Sequence, residues 1–372
     1  MNVPKLRFKE FNDEWINNCL SDIATITMGQ SPSSKNYTSN KNNIILIQGN
    51  ADLNNGHVVP RIFTTQITKT CNINDIIITV RAPVGDTAIS DYNACIGRGV
   101  CAISGDKYIY HYLNYLKIND YWKKISKGST IDSITSNDIK NLNINFPNST
   151  EAKKIVKTLD LLDKKIELQS KKIEDLKLFK TCTRNELFKN FDYKCKLKDI
   201  LIKWNKKNKD NEINYVESIS NKYGFVSQSD QFESRKVASK DLKNYYIIEK
   251  NVFGYNPSRL NVGSLALKID DKISVVSPLY ECFTTTQNKK FLLEWFNSKY
   301  FQKETISKFE GGVRNTLNFS NLCDIEIGLP SMNNQKKYDE VFTAFDTKIN
   351  LEKNKLNKLI ELKRGLMQNM FV

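Results

Sequence analysis

Residues that commonly do chemistry are few in this chain, and their spacing suits no familiar catalytic site. There are two histidines, His57 and His111, and eight cysteines: Cys19, Cys71, Cys95, Cys101, Cys182, Cys195, Cys282 and Cys323. No two cysteines form a CxxC pair, so no metal site is expected, and the scattered thiols read as free cysteines of a reducing compartment. A GxxxxGK[ST] phosphate loop is absent from the sequence, which argues against ATP use by this chain. The glycine-rich stretches at 97–99 and 310–315 lack the GxGxxG spacing of a dinucleotide site. In YNPSR, residues 255–259, Arg259 stands where an amino-methyltransferase needs an aromatic ring to stack a flipped base.

What the chain does carry is positive charge, a formal net +15 over 372 residues. The excess is spread along the sequence, not held in a tail. A field of that kind points to a polyanion, and nucleic acid is the leading class. Arg81 and Arg98 each end a β-branched run beside proline or glycine. That places a side chain at a strand end, where a loop can meet a partner. Salt bridges to Asp75, Asp86 or Asp91 are the competing use of these two arginines. No run approaches the ~18 apolar residues of a membrane span. The N-terminal MNVPKLRFKEFNDEW has no apolar signal core, so a cytoplasmic protein is expected.

The elements that would hold such residues come from a repeat. Residues 128–188 align with 311–371 at a constant offset of 183 without a gap. Pro147 meets Pro330, Asp163 meets Asp346, Lys180 meets Lys363 and Phe188 meets Phe371. Within the repeat lie LLDKKIELQSKKIEDLKLF at 161–179 and AFDTKINLEKNKLNKLIEL at 344–362. Apolar residues recur there at spacings of three and four, which predicts two long helices with heptad seams. The first seam is Ile155, Leu159, Leu162, Ile166, Gln169, Ile173 and Leu176; the second is Tyr338, Phe342, Phe345, Ile349, Glu352, Leu356 and Leu359. Gln169 and Glu352 occupy the same place, either as a polar layer that fixes register or as edge residues reaching water. Thr150 and Asn333 lie at or near the N-caps. Each helix should span ~38 residues, ~57 Å, and a helix of that length needs a partner along its seam. Antiparallel pairing of the two copies is the expectation.

The remaining sequence is short β-branched runs broken by Gly, Asn and Pro, such as IILIQGN, DIIITVRAPVG and ACIGRGVCAI early, and INYVESIS, SLALKID and KISVVSPLY late. Each half adds one aromatic helical stretch. An α+β chain results, with segments 1–150, 151–190, 191–330 and 331–372 reading as domain, long helix, domain, long helix.

In this order the chain resembles the specificity (S) subunit of a Type I restriction–modification enzyme. The resemblance covers the whole chain. VPKLRFKEFNDEW resembles the start of such subunits, and IATITMGQSP the entry to a target recognition domain. KGSTIDSITSNDIKNLNINFP resembles the exit to the first long helix, although TEAKKI lacks the usual glutamine of an acidic-glutamine pair. FGYNPSRLNVGSLAL followed by VVSPLYECF resembles a common type of second recognition domain. The resemblance implies two β-rich target recognition domains separated by two antiparallel coiled-coil helices and related by a pseudo-twofold axis. It implies a non-catalytic reader of double-stranded DNA with a bipartite target. Two adenine methyltransferase subunits and translocase–nuclease (restriction) subunits would be its partners. S-adenosylmethionine, ATP and magnesium would be brought by those partners, with no cofactor in this chain. A coiled-coil scaffold with two protein-binding domains shares the same layout and is the alternative.

On that implied role, Arg, Gln and Asn would read base edges, and Lys and Arg would hold phosphates. The polar tracts of the first domain offer Ser31, Lys35, Asn36, Gln48 and Asn50, with Arg81 and Arg98. Those of the second offer Tyr223, Ser227, Gln228, Tyr255, Asn256, Arg259 and Asn261. Arg314, in a glycine turn at the domain exit, suits a phosphate. The helix-pairing residues would be Leu159, Leu162, Ile166, Ile173, Leu176, Phe342, Phe345, Ile349, Leu356 and Leu359.

Overall fold

The computed structural model describes residues 3–126, 133–189, 191, 193–221, 223–228, 241–306 and 316–372. The chain forms two compact units, Met1–Lys171 with Lys353–Val372, and Lys172–Glu352.

In the first unit the β-branched runs become strands. Ile76–Thr79, an unbroken β-branched run, is buried along its whole length, as a central strand covered on both faces must be. It pairs antiparallel with Val100–Ser104 on one side and Thr87–Ile89 on the other. Those strands belong to a six-stranded sheet that runs from Thr25–Met28 to Leu53–Asn54. A five-stranded sheet is built around Ile44–Ile47 and Ala94–Ile96, which pair in parallel. The run ACIGRGVCAI therefore supplies a strand to each sheet, broken at 97–99. A separate antiparallel pair, Ile16–Cys19 with Asn143–Phe146, joins the two ends of the domain sequence.

The aromatic stretch forms the helix Lys107–Ile118, capped by Asp106, whose Oδ1 accepts the Tyr108 N–H at 2.8 Å. Tyr108, Tyr112 and Tyr115 present their rings to Phe371, with centroids 5.3, 5.8 and 5.4 Å away. The second unit repeats the device. Helix Lys289–Phe296 is capped by Asn288, and its Phe291 meets Phe188 at 5.1 Å. Phe188 and Phe371 are repeat equivalents, so each globular part receives the end of a long helix on the same kind of aromatic face.

The second unit's main sheet has the order Leu201–Lys203, Glu281–Thr285, Phe253–Tyr255, Leu265–Leu267. Phe253 and Phe283 stack at 5.0 Å in its core, backed by Phe296. Glu217–Ser220 with Gly224–Ser227 and Tyr246–Ile248 with Ser274–Val276 form separate antiparallel pairs. Lys194–Lys196 pairs with Glu326–Gly328 as Ile16–Cys19 pairs with Asn143–Phe146.

The long helices are Ser149–Leu187 and Met332–Met370, 39 residues each. Their caps lie slightly earlier than the sequence suggested. Asn148 Oδ1 accepts the Glu151 N–H at 2.9 Å, and Ser331 Oγ accepts the Asn334 N–H at 3.4 Å. Asn148 and Ser331 are again repeat equivalents, and Thr150 and Asn333 lie inside the first turn.

Within the second unit the helices run antiparallel: Lys172 lies 3.2 Å from Glu352, and Lys180 lies 2.7 Å from Asp346. Ile173, Phe342 and Ile349 are buried there, and Phe179 meets Phe345 edge to face. Within the first unit Lys363 pairs with Asp163, the repeat equivalent of Lys180 with Asp346. Ile155 and Leu159 share that unit's core with Met367 and Met370. Leu162 is buried, and Ile166, Leu176, Phe345, Leu356 and Leu359 are half-buried. Of the two polar seam positions, Glu352 is wholly buried, with Lys172 and Lys348 each 3.2 Å from its Oε1. Gln169 is half-buried. Among the described residues no helix is long and apolar enough to cross a membrane.

Candidate nucleic-acid interface

Three loops of the first unit meet at one edge. Ser31 Oγ accepts the Arg98 N–H at 3.0 Å. Glycine permits the approach: a Cβ on Gly97 would lie 3.1 Å from Ser31 Oγ, and one on Gly99 only 2.0 Å from the Gln48 carbonyl oxygen. The Val80 N–H donates to the Gly99 oxygen at 2.9 Å, which sets Arg81 beside the same loops. Arg81 and Arg98 are exposed and Gln48 is half-buried. The three aspartates that competed for these arginines are engaged elsewhere. Asp75 accepts from Ser104 Oγ and the Asn72 N–H, Asp86 pairs with Lys117 and Asn50, and Asp91 pairs with His57 at 3.1 Å. Among the described residues neither arginine has an ion pair. Two exposed arginines on loops whose backbones adjoin that of Gln48 make a donor-rich platform of the kind that suits guanine edges, adenine edges and phosphates.

The other candidates of this unit are less free. Asn50 donates to Asp86. Asn36 Nδ2 donates to Gln66 Oε1 at 2.7 Å, at the end of the short 3-10 helix Ser34–Asn36, while Lys35 stands exposed on it. The Ser31 hydroxyl is an acceptor for the Arg98 loop, which makes it a support for the platform.

In the second unit Tyr223 is exposed in the turn before strand Gly224–Ser227. Ser227 and Gln228 are half-buried. Asn256 Oδ1 accepts the Ser258 N–H at 3.0 Å and so caps the 3-10 helix Pro257–Val262, on which Arg259 is exposed. The turn and this helix adjoin: a Cβ on Gly263 would lie 3.6 Å from Asn221 Cβ. Tyr223 and Arg259 thus belong to neighbouring loops.

Tyr255 does not belong with them. It has no exposed surface, packs on Phe283 at 6.2 Å, and burial pushes its phenol pKa up. A ring enclosed by the sheet core cannot touch a partner, so Tyr255 is a packing residue. In FGY the period-two alternation turns both Phe253 and Tyr255 inward, and that alternation was the signal to weigh. The backbone of Asn261 lies in Pro257–Val262, but its side chain and all of Arg314 lie outside the described residues.

Sequence reasoning missed the residues that hold the loops. Asp52 is 2% exposed and accepts three hydrogen bonds, from Gln48 N, Gly49 N and Arg61 Nε, at 2.8, 3.2 and 2.8 Å. Gln66 Oε1 likewise takes the Ser33 N–H and Asn36 Nδ2. Asp at the end of QGNAD carried a local hint, since Asp bonds nearby backbone donors in turns. Among the described residues no group of three His, Cys, Asp or Glu side chains is placed to hold a metal.

These two units define a protein with a duplicated, loop-bearing recognition domain. The chain matches the family Type I restriction modification DNA specificity domain twice, over residues 12–178 and 189–362, and it belongs to that family. The putative type I restriction enzyme MjaX specificity subunit of Methanocaldococcus jannaschii is 33% identical over 168 residues, 44% of this chain and 39% of that protein. The match thus spans well under half of that relative's length. The crystal structure of the S subunit of a Type-I restriction-modification system from M. genitalium shares the fold. It has a TM-score of 0.59 at 17% identity and covers 100% of this chain and 99% of that one. A chain from a structural study of complex assembly and conformational transition in the type I R-M system gives 0.60 at 14%, over 97% and 98%.

Proposed function

We propose that this chain is the DNA specificity subunit of a Type I restriction–modification complex. In this reading each unit recognises one half of a bipartite target on double-stranded DNA. The duplication of the specificity domain carries the proposal: two similar readers in one chain fit two half-sites with an unread gap. The donor-rich platform of the first unit and the Tyr223–Arg259 loops of the second are the surfaces that would face DNA. The chain itself would catalyse nothing. Methyltransferase subunits would bind S-adenosylmethionine and modify adenine, and restriction subunits would bring ATP and magnesium.

Two copies of the methyltransferase are favoured by the helices. Leu168 and Leu351 are repeat equivalents and both are exposed, as are Phe179 and Leu362. Large apolar side chains that face water at equivalent positions suit the same partner twice.

The test is to co-express the chain with a methyltransferase subunit and map methylated adenines on genomic DNA. The expected result is one bipartite motif with a fixed gap, and loss of methylation without this chain. Replacing residues 15–147 by the first domain of another family member should change one half-site only. A contiguous motif, or methylation independent of this chain, overturns the proposal.

A further inference from the structure

Beside the loops of the first unit's platform lies a buried carboxylate that holds one of them from within. Asp52 is 2% exposed, and its Oδ2 accepts the N–H groups of Gln48 and Gly49 at 2.8 and 3.2 Å. Its Oδ1 accepts Arg61 Nε at 2.8 Å, so the charge is balanced by a guanidinium that is itself half in water. The backbone closes the same turn, with Asp52 N donating to the Gly49 oxygen at 3.0 Å and Val59 N to the Asp52 oxygen at 2.8 Å. Two consecutive N–H groups aimed at one carboxylate oxygen fix the direction of the peptide after Gln48. That peptide is packed in turn against Gly99, where a single added methyl group would meet the Gln48 oxygen at 2.0 Å. Gly99 is next to Arg98, whose own N–H is held by Ser31. The position of Gln48 and that of Arg98 therefore depend on one another, and Asp52 anchors both.

We infer that Asp52 is a positioning residue for sequence discrimination: its carboxylate sets the 48–50 loop, and through Gly99 the Arg98 loop, in the shape that reads the first unit's half-site. The inference rests on the chain being a specificity subunit. Bidentate reading of a base edge tolerates little misplacement, because both hydrogen bonds must form together. Asp52→Asn keeps the size of the side chain and removes the charge. It also replaces one acceptor by an NH2 group, which would face either the two backbone N–H groups or the guanidinium.

The experiment uses the full chain assembled with methyltransferase subunits. Methylation rates are measured on duplexes carrying single-base changes in either half-site. Asp52→Asn should reduce discrimination at one or more positions of the first unit's half-site by about tenfold. Discrimination in the other half-site should stay at the wild-type level. Gly99→Ala displaces the Gln48 carbonyl from the opposite side and should show the same half-site-limited loss, which carries the test if Asp52→Asn does not assemble. Wild-type discrimination in both variants overturns the inference, and so does equal loss in both half-sites. A wild-type complex with no bipartite target overturns the functional reading itself, which is a separate result.

Discussion

Arg98 and Lys35 are both exposed cations of the first unit, and they should fail differently. Arg98 stands on a loop whose backbone is held by Ser31 and Gly99, so in the proposed reading its guanidinium would meet a base edge from a set position. Arg98→Ala should relax specificity at one position of one half-site, at a cost of about 1–3 kcal/mol for the preferred base. Lys35 sits on a short 3-10 helix with a flexible stem. Lys35→Ala should weaken binding to all duplexes alike and lower the slope of log affinity against log salt by about one. Titrations at several salt concentrations, on matched and mismatched duplexes, separate the two. A Lys35 variant that altered base preference would show the assignment reversed. At this scale the sequence was a partial guide. Residue type and a glycine neighbour identified Arg98 as loop-borne. Nothing local revealed that Asp52, 46 positions away, holds the loop against which Gly99 packs, because the approach of Gln48 to Gly99 exists only once two distant strands are paired.

Among the elements, the long helices were the most legible, since three-and-four spacing over so many residues admits no other structure. The caps were less so: Asn148 precedes a Ser-Thr pair that could equally have capped, and backbone geometry chose between them. Along the seam the same apolar residue does not count equally. Ile349 is 6% exposed, whereas Ile166 is only half-buried. Ile349→Asp should therefore cost about 3 kcal/mol or more, and Ile166→Asp clearly less. Denaturant unfolding measures both, and equal losses would contradict the seam described. The junction of helix Lys107–Ile118 with the first long helix gives a pH prediction. His111 is fully buried and its Nε2 lies 2.9 Å from Asp160, which also accepts from Lys107 Nζ at 2.8 Å. Burial lowers the imidazole pKa and outweighs the raising effect of Asp160, with Asp163 and Lys363 acting in opposite directions from nearby. An unfolded imidazole takes a proton near pH ~6.5, and the folded one resists it. This contribution to stability is whole above about pH 6.5 and is lost as pH falls toward the lowered folded value. Burial alone would raise the Asp160 pKa, but its bonds to His111 and Lys107 leave it lowered, so it titrates below this window. Thermal midpoints between about pH 7 and pH 5 should fall for the wild type, and less steeply for His111→Gln. An unchanged slope in the variant would exclude His111 as the source.

For the whole molecule, the repeat was readable because its offset of 183 carries a proline, an ion-pair partner and a terminal phenylalanine at once, and the structure uses the ion pairs and the phenylalanines alike. The domain cores were not readable to that depth, since short strands scattered over loops leave register to long-range pairing. Lys171 and Lys172 mark the passage from one compact unit to the other, and the passage lies inside an uninterrupted helix. Four residues inserted after Lys172, and four after its repeat equivalent Lys355, lengthen each helix by ~6 Å and rotate the downstream part of each by ~40°. On B-form DNA ~6 Å is close to two base-pair rises of ~3.4 Å, while ~40° is close to the turn of one base pair. Insertion in both helices keeps the two copies matched, with repeat-related pairs such as Lys180–Asp346 and Asp163–Lys363 lying outside the inserted turns. Methylated-site mapping of the parent and of the doubly extended chain should give the same two half-sites, with the unread gap longer by about one or two base pairs. A gap that stays fixed in an active extended complex would show that loop geometry, not helix length, sets the spacing.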